Sequence, residues 1–251
     1  MESGGYIRPE DVNPCSFGVV AVGDLSALLP LPIAVANNKA AAFAPVAGQA
    51  PLVRVVSAML GAANPRSVVV ATADALVDDV RETLAAHHLS VGVAMATGSA
   101  TRAQCLLAGL EYLEREQSSP HYVLIPDVRR PLASTALRDR VIAELRRGSS
   151  VVMPALPLTD SVKTVDAQGS VTGTLDRSTL QAVQSPRGFT TDQLVRLLAG
   201  RASDEFDELE EAIRARVPIA TVDGDPDAFV VDLPSDAAFV EAVIACRRGD
   251  S

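Results

Sequence analysis

Tyr122-Val123-Leu124-Ile125 is a run of four apolar or aromatic residues enclosed by Pro120 and Pro126. Proline has no backbone N–H to give to a ladder, so the run is bounded on both sides. An unbroken apolar run of this length reads as a short strand buried on both faces, and such a strand is usually central in a parallel sheet. Asp127 follows at once, then Arg129, Arg130 and Pro131. Open α/β sheets take ligands beyond the carboxyl ends of their strands, where a carboxylate can hold a divalent metal beside phosphates. The plainer reading is an Asp that shapes a turn or caps the helix beginning near Ser134.

The chain around this strand has 251 residues, 48% of them hydrophobic and 21% charged, enough apolar material for one large core. Aromatics make up 4% and tryptophan is absent, so that core rests on Ala, Val and Leu. A formal charge of −9 argues against a nucleic-acid backbone as partner, because such binding needs a basic footprint. A phosphorylated small molecule is compatible with it, since a basic pocket can sit on an acidic protein. Three widely spaced cysteines, Cys15, Cys105 and Cys246, fit neither a disulfide framework nor a zinc knuckle, and a reducing cytoplasm is the simplest home. No membrane span is expected, because the most apolar segment, Val19 to Ala36, is broken by Asp24, Pro30 and Pro32.

Taken in order, residues 1–14 read as a loose tail and 15–251 as one domain. Phe17 to Val22 is a candidate first strand; a competing register makes Pro32 to Ala36 that strand. Both leave the first strand-to-helix loop near Lys39. Leu52–Leu60 has helical spacing, and Arg66–Ala71 and Ser90–Ala94 read as strands on either side of a helix over Ala75–His87. Gly98 to Cys105 is a small-residue turn feeding a helix that runs to Glu116, a place where free N–H groups and Arg102 suit a phosphate or a base edge. After the central strand come a helix over Ser134–Arg147 and a strand over Ser149–Pro154. Residues 157–175 then change character and read as an exposed β-hairpin arm with little core of its own, suited to packing on a partner subunit. A helix over Thr191–Leu198, an acidic run Asp204–Glu211 that reads as a solvated helix face, a strand over Pro218–Val222 and a helix over Ser235–Cys246 complete the chain. The alternation gives an α/β fold with a mostly parallel sheet.

In that order these pieces resemble the 2-C-methyl-D-erythritol 4-phosphate cytidylyltransferases. The family's V-H-D-A-A-R-P is similar to Ile125-Pro126-Asp127-Val128-Arg129-Arg130-Pro131, and its G-G-x-x-R-x-x-S to Gly98-Ser99-Ala100-Thr101-Arg102-Ala103-Gln104-Cys105. The arm motif P-x-x-D-T/S-x-K appears as Pro157 to Lys163, and D-R-x-x-L-x-x-x-Q-T/S-P-Q-x-F as Asp176 to Phe189. The resemblance implies a Rossmann-like nucleotidyltransferase fold, CTP and methylerythritol phosphate as substrates, Mg²⁺ as cofactor, and a homodimer made through the arm. It implies Asp127 as metal ligand, and Gly23, Gly98, Arg102, Cys105 and Arg130 on the nucleotide. Asp160, Ser161, Lys163 and Arg177 fall on the acceptor, with Lys39 and Arg177 as the catalytic cations.

The departures fall at the chemistry. The family's phosphate signature, G-x-G-x-R followed by P-K, has no clean counterpart. Aligning Gly23 with its first glycine puts Leu25 at the second and Ala27 at the arginine. Anchoring on Phe43 and Gly48 puts Ala41 at the lysine, two residues from Lys39, and Ala228-Phe229-Val230 stands where the family closes on a lysine. Three readings stay open: a divergent cytidylyltransferase, a non-catalytic binding or dimerising relative, and a nucleotidyltransferase with another acceptor.

Overall fold

The structure, a computed structural model, describes residues 25–61, 65–116, 120–203 and 205–249. Of the two registers for the first strand, Pro32 to Ala36 is overturned. β1 is Leu25–Leu31, Phe17 to Val22 lies outside the described residues, and Pro32 to Ala36 leads into a short helix, α1 (Ile33–Asn37). Leu25 to Leu31 is buried throughout, and an apolar run that long satisfies a two-sided strand better than the polar-flanked segment after it.

After α1 come α2 (Ala40–Phe43), α3 (Pro51–Leu60), β2 (Val68–Ala73), α4 (Val77–Ala86), β3 (Gly92–Ala96), α5 (Arg102–Glu116), β4 (Tyr122–Ile125), α6 (Thr135–Arg146) and β5 (Val151–Pro157). The hairpin β6 (Val162–Val165) and β7 (Val171–Leu175) follows. Then come β8 (Gln181–Val183), β9 (Arg187–Thr190), α7 (Thr191–Ala199), α8 (Glu208–Arg214), β10 (Ala220–Asp223) and α9 (Ala237–Gly249). The main sheet runs β10-β5-β9-β4-β1-β2-β3, with β8 paired to β5, and β6 and β7 form a separate ribbon. β4 is central, parallel to β1 on one side and antiparallel to β9 on the other.

Strand residues alternate between two cores, as the period of two requires. Leu28, Val69, Ala71, Val123, Ile125 and Met153 face the layer holding α5, α7 and α8. Leu29, Val68, Val70, Leu124 and Val152 face the layer holding α3, α4 and α6. A smaller cluster of Val46, Leu132, Val231, Leu233, Val240 and Ile244 seats α9 and the segment before it.

The seating of α5 fixes the turn at its start, and it depends on Gly109. A Cβ there would lie 2.0 Å from Leu28 Cδ1 and 3.0 Å from Leu28 Cδ2, and Leu28 is fully buried. Gly109→Ala is therefore expected to cost about 1–3 kcal/mol despite alanine's better helix propensity. Chemical denaturation that shows equal or greater stability would sink this account of the contact.

Candidate functional site

A cleft of about 430 Å³ opens at the carboxyl ends of β1 and β4. One wall is Pro30, Pro32, Ala34, Val35, Asn38 and Ala41, from the end of β1 through α2; the other brings Arg102, Asp127, Val128, Arg129 and Asp232. The two walls differ in chemistry. The segment from Pro32 to Ala44 contains no glycine, no arginine and one lysine, Lys39. That lysine pairs with Asp79 at 2.5 Å, is half exposed, and does not line the cleft. Gly23 lies outside the described residues.

Arg102 reaches the cleft from the first turn of α5, and its placement is built locally. Gly98 and Ala100 adopt left-handed conformations, φ 74° and 46°, which turn the chain sharply before the helix. Thr101 and Gln104 then close a capping box: the Gln104 N–H donates to Thr101 Oγ1 at 3.3 Å, and the Thr101 N–H donates to Gln104 Oε1 at 2.9 Å. This reciprocal pair, whose T-x-x-Q spacing the sequence reading of the turn passed over, explains why the helix starts at Arg102. Cys105, one turn on, does not line the cleft. It is fully buried beneath the turn, and burial pushes its thiol up to about 12.

Arg102 Nε donates to Glu208 Oε1 at 2.7 Å, and Arg187 donates to Glu208 Oε2 at 2.6 Å and to Asp207 Oδ2 at 2.8 Å. Glu208 has no exposure at all, and Glu211 is also buried. The acidic run is thus not a solvated face, as its composition suggested. Asp207 caps α8 by accepting from the Leu209 and Glu210 N–H groups, which turns Glu208 inward between two arginines. A carboxylate that deep is tolerable because both oxygens meet charged donors. Burial lowers the Arg187 pKa, but Glu208 and Asp207 outweigh it and hold the guanidinium above its ordinary value.

Asp127 is engaged as well. Its Oδ1 accepts from the Arg129 backbone N–H at 2.9 Å and from Arg129 Nε at 3.3 Å, and its Oδ2 accepts from Arg129 Nη2 at 3.0 Å. Burial works to raise the Asp127 pKa, but the hydrogen bonds and charge of Arg129, with the charge of Arg102, hold it below the usual carboxylate range. The Mg²⁺ expected at Asp127 by resemblance thus meets a carboxylate with both oxygens occupied. Among the described residues no group of three or more His, Cys, Asp or Glu comes together as a metal site. Mg²⁺ at a nucleotide takes one or two carboxylates beside waters and phosphates, so the misfit lies at Asp127 itself, the one carboxylate expected to hold it, which Arg129 engages on both oxygens; no step below passes through the ion.

Arg130, expected on the nucleotide, points elsewhere. Its terminal nitrogens donate to the carbonyls of Ala228 and, at 3.1 Å, Val183, and it lines a separate water-sized cavity with Met59 and Pro186. It anchors the strap from Asp225 to Leu233. Val231 N–H to Arg129 O at 2.8 Å and Asn38 Nδ2 to Leu233 O at 3.2 Å tie the strap down further along. The strap delivers Asp232 to the cleft, a residue that carries no sequence signal of its own.

The residues expected on the acceptor lie at the arm. Arg177 donates to Thr159 O, next to Asp160 and Ser161, and Lys163 Nζ donates to Thr174 Oγ1 at 2.8 Å across the hairpin. None of them lines the cleft of its own chain. No helix of the described residues is long and apolar enough to cross a membrane.

Comparison with known proteins bears on this arrangement. The family described as 2-C-methyl-D-erythritol 4-phosphate cytidylyltransferase matches residues 33–246. The enzyme of that name from Rhodococcus opacus is 34% identical over 225 residues, 88% of this chain and 96% of that one. Its namesake from Nocardia farcinica is 36% identical over 231 residues, 90% and 96% of the two chains. Among solved structures, the protein of that name from Thermus thermophilus superposes with a TM-score of 0.66 at 26% identity, covering 88% of this chain and 98% of that one. A 4-diphosphocytidyl-2C-methyl-D-erythritol synthase superposes at 0.71 with 23% identity, covering the same shares, and shows the fold.

Proposed function

The chain belongs to the 2-C-methyl-D-erythritol 4-phosphate cytidylyltransferase family, and from that premise we propose that it takes CTP in the cleft between β1 and β4 and transfers the cytidylyl group to methylerythritol phosphate. The observation that carries this reading is the convergence of Arg102, Asp127 and Arg129 on one cleft, at the strand ends where open α/β sheets bind ligands. In the transfer, an oxygen of the acceptor phosphate attacks the α-phosphorus of CTP, and the bond to the pyrophosphate oxygen breaks. Negative charge builds on the transferred and leaving groups, and cations fixed beforehand offset it. Arg102, braced from behind by Glu208, and Arg129, braced by Asp127, are the cations in place. Asp160, Ser161, Lys163 and Arg177 hold the acceptor from the arm of a second copy, the last three at its phosphate. The exposed apolar residues Val165, Val171 and Leu175 on that arm support a homodimer.

A second reading, a protein that binds the nucleotide without turnover, is favoured by the β1-side wall, which offers the phosphates proline, alanine and valine. Incubation with CTP and methylerythritol phosphate, with pyrophosphate release followed beside calorimetric CTP binding, separates the two. Release that needs both substrates supports transfer. Binding without release supports the second reading, and absence of binding by a folded protein sinks both.

A further inference from the structure

In the family pattern V-H-D-A-A-R-P the residue two after the acid is alanine; in this chain it is Arg129. That one difference changes what stands at the acid. The backbone N–H of Arg129 and two of its side-chain nitrogens together occupy both oxygens of Asp127. The fork-to-fork geometry is the one in which a guanidinium binds a carboxylate most strongly. Because the donor and acceptor are two residues apart in a turn, the pair is closed locally and needs no distant element to hold it. A divalent ion at Asp127 would have to displace this guanidinium and then sit beside it, at the cost of like-charge repulsion.

We propose that Arg129 is a resident cation standing in for the metal ion at Asp127, so that the cleft takes its phosphate-bearing ligand without a divalent metal. The inference rests on the nucleotide reading of the cleft given above. Arg129 suits the task because its side chain is 57% exposed, lines the cleft, and engages Asp127 through Nε and Nη2, leaving Nη1 outside that pair. Arg130, the basic residue that the chain shares with the family pattern, cannot replace it, since its terminal nitrogens are spent on the carbonyls of Val183 and Ala228. Charge balance points the same way. Arg102 and Arg129 stand on one wall of the cleft with Asp127 and Asp232, two cations among two anions, so a phosphate there is met by guanidinium groups that are already positioned.

The test is calorimetric titration of CTP into the full chain at constant ionic strength, with Mg²⁺ and with EDTA, for wild type, Arg129→Ala and Arg129→Lys. Wild type is expected to change affinity by less than about threefold between the two conditions. Arg129→Ala, which restores the family's residue and frees Asp127, is expected to bind at least about tenfold more weakly in EDTA than in Mg²⁺. Arg129→Lys keeps the charge and should stay indifferent to the metal. Mn²⁺ resonance spectra read the same point directly: the Arg129→Ala complex with CTP should immobilise Mn²⁺ beyond what free CTP does, and the wild-type complex should not. Wild-type binding that collapses in EDTA overturns this inference alone. An Arg129→Ala response equal to wild type also overturns it, and no CTP binding by any folded variant in either condition overturns it together with the nucleotide reading.

Discussion

Glu208→Ala is expected to lower the unfolding free energy by about 3–5 kcal/mol, the range for removing one partner of a buried ion pair. The magnitude follows from what remains. With the carboxylate gone, Arg187, whose side chain is 18% exposed, is left with the half-exposed Asp207, and Arg102 loses the carboxylate to which its Nε donates. The Nε of Arg187 is already buried without an acceptor, so that guanidinium has little spare satisfaction to draw on. Glu208→Gln, of similar shape, should cost less, because its amide oxygen can still accept from one arginine. Urea unfolding checks both, and the ordering carries the argument: if Glu208→Gln proved as damaging as Glu208→Ala, shape and not charge would be what the site requires. Loss of CTP affinity in Glu208→Gln at near-native stability would show that the carboxylate also sets the aim of Arg102.

This network marks where the sequence stopped being legible. Local signals placed the framework: apolar runs gave β2, β4 and β5, helical spacing gave α3, and the change of character over 157–175 gave the arm. These depend on neighbours in the chain, and neighbours are what a sequence displays. Leu25 to Leu31 was not read as a strand because it carries Pro30 inside it, and proline ordinarily argues against a central strand. The acidic run misled for a different reason. Asp207, Glu208, Glu210 and Glu211 are alike in composition, and the inward turn of Glu208 is held by arginines 21 and 106 residues away. The partners of Asp127 were two residues off and open to view, yet an acid beside two arginines could equally aim them at a ligand. Geometry alone assigns Arg129 to Asp127 and Arg130 to backbone carbonyls.

Ala41→Lys is expected to tighten CTP binding by about 10- to 100-fold, the equivalent of one charge-assisted hydrogen bond of about 1.5–3 kcal/mol. Ala41 sits in α2 on the β1-side wall and lines the cleft, at the position that Phe43 and Gly48 align with the family's lysine. A lysine there adds a third cation to a lining of two positive and two negative groups, opposite Arg102 and Arg129, where a triphosphate would otherwise face proline and alanine. The gain should grow with ligand charge, so CTP should benefit more than CMP, and cytidine hardly at all. For transfer, a positioned donor is worth about 10²–10³ in rate. A lysine grafted onto a wall without the glycine cradle is expected to recover about tenfold in pyrophosphate release. Lys39→Ala is the matching control. Its ion pair with Asp79 is exposed and lies off the cleft, so CTP binding should be unchanged and stability should fall by no more than about 1 kcal/mol. The opposite pattern, with Lys39→Ala abolishing CTP binding and Ala41→Lys adding nothing, would mean that Lys39 leaves Asp79 and reaches the phosphates once the nucleotide is bound. The missing cation of the β1-side wall would then be a displaced one.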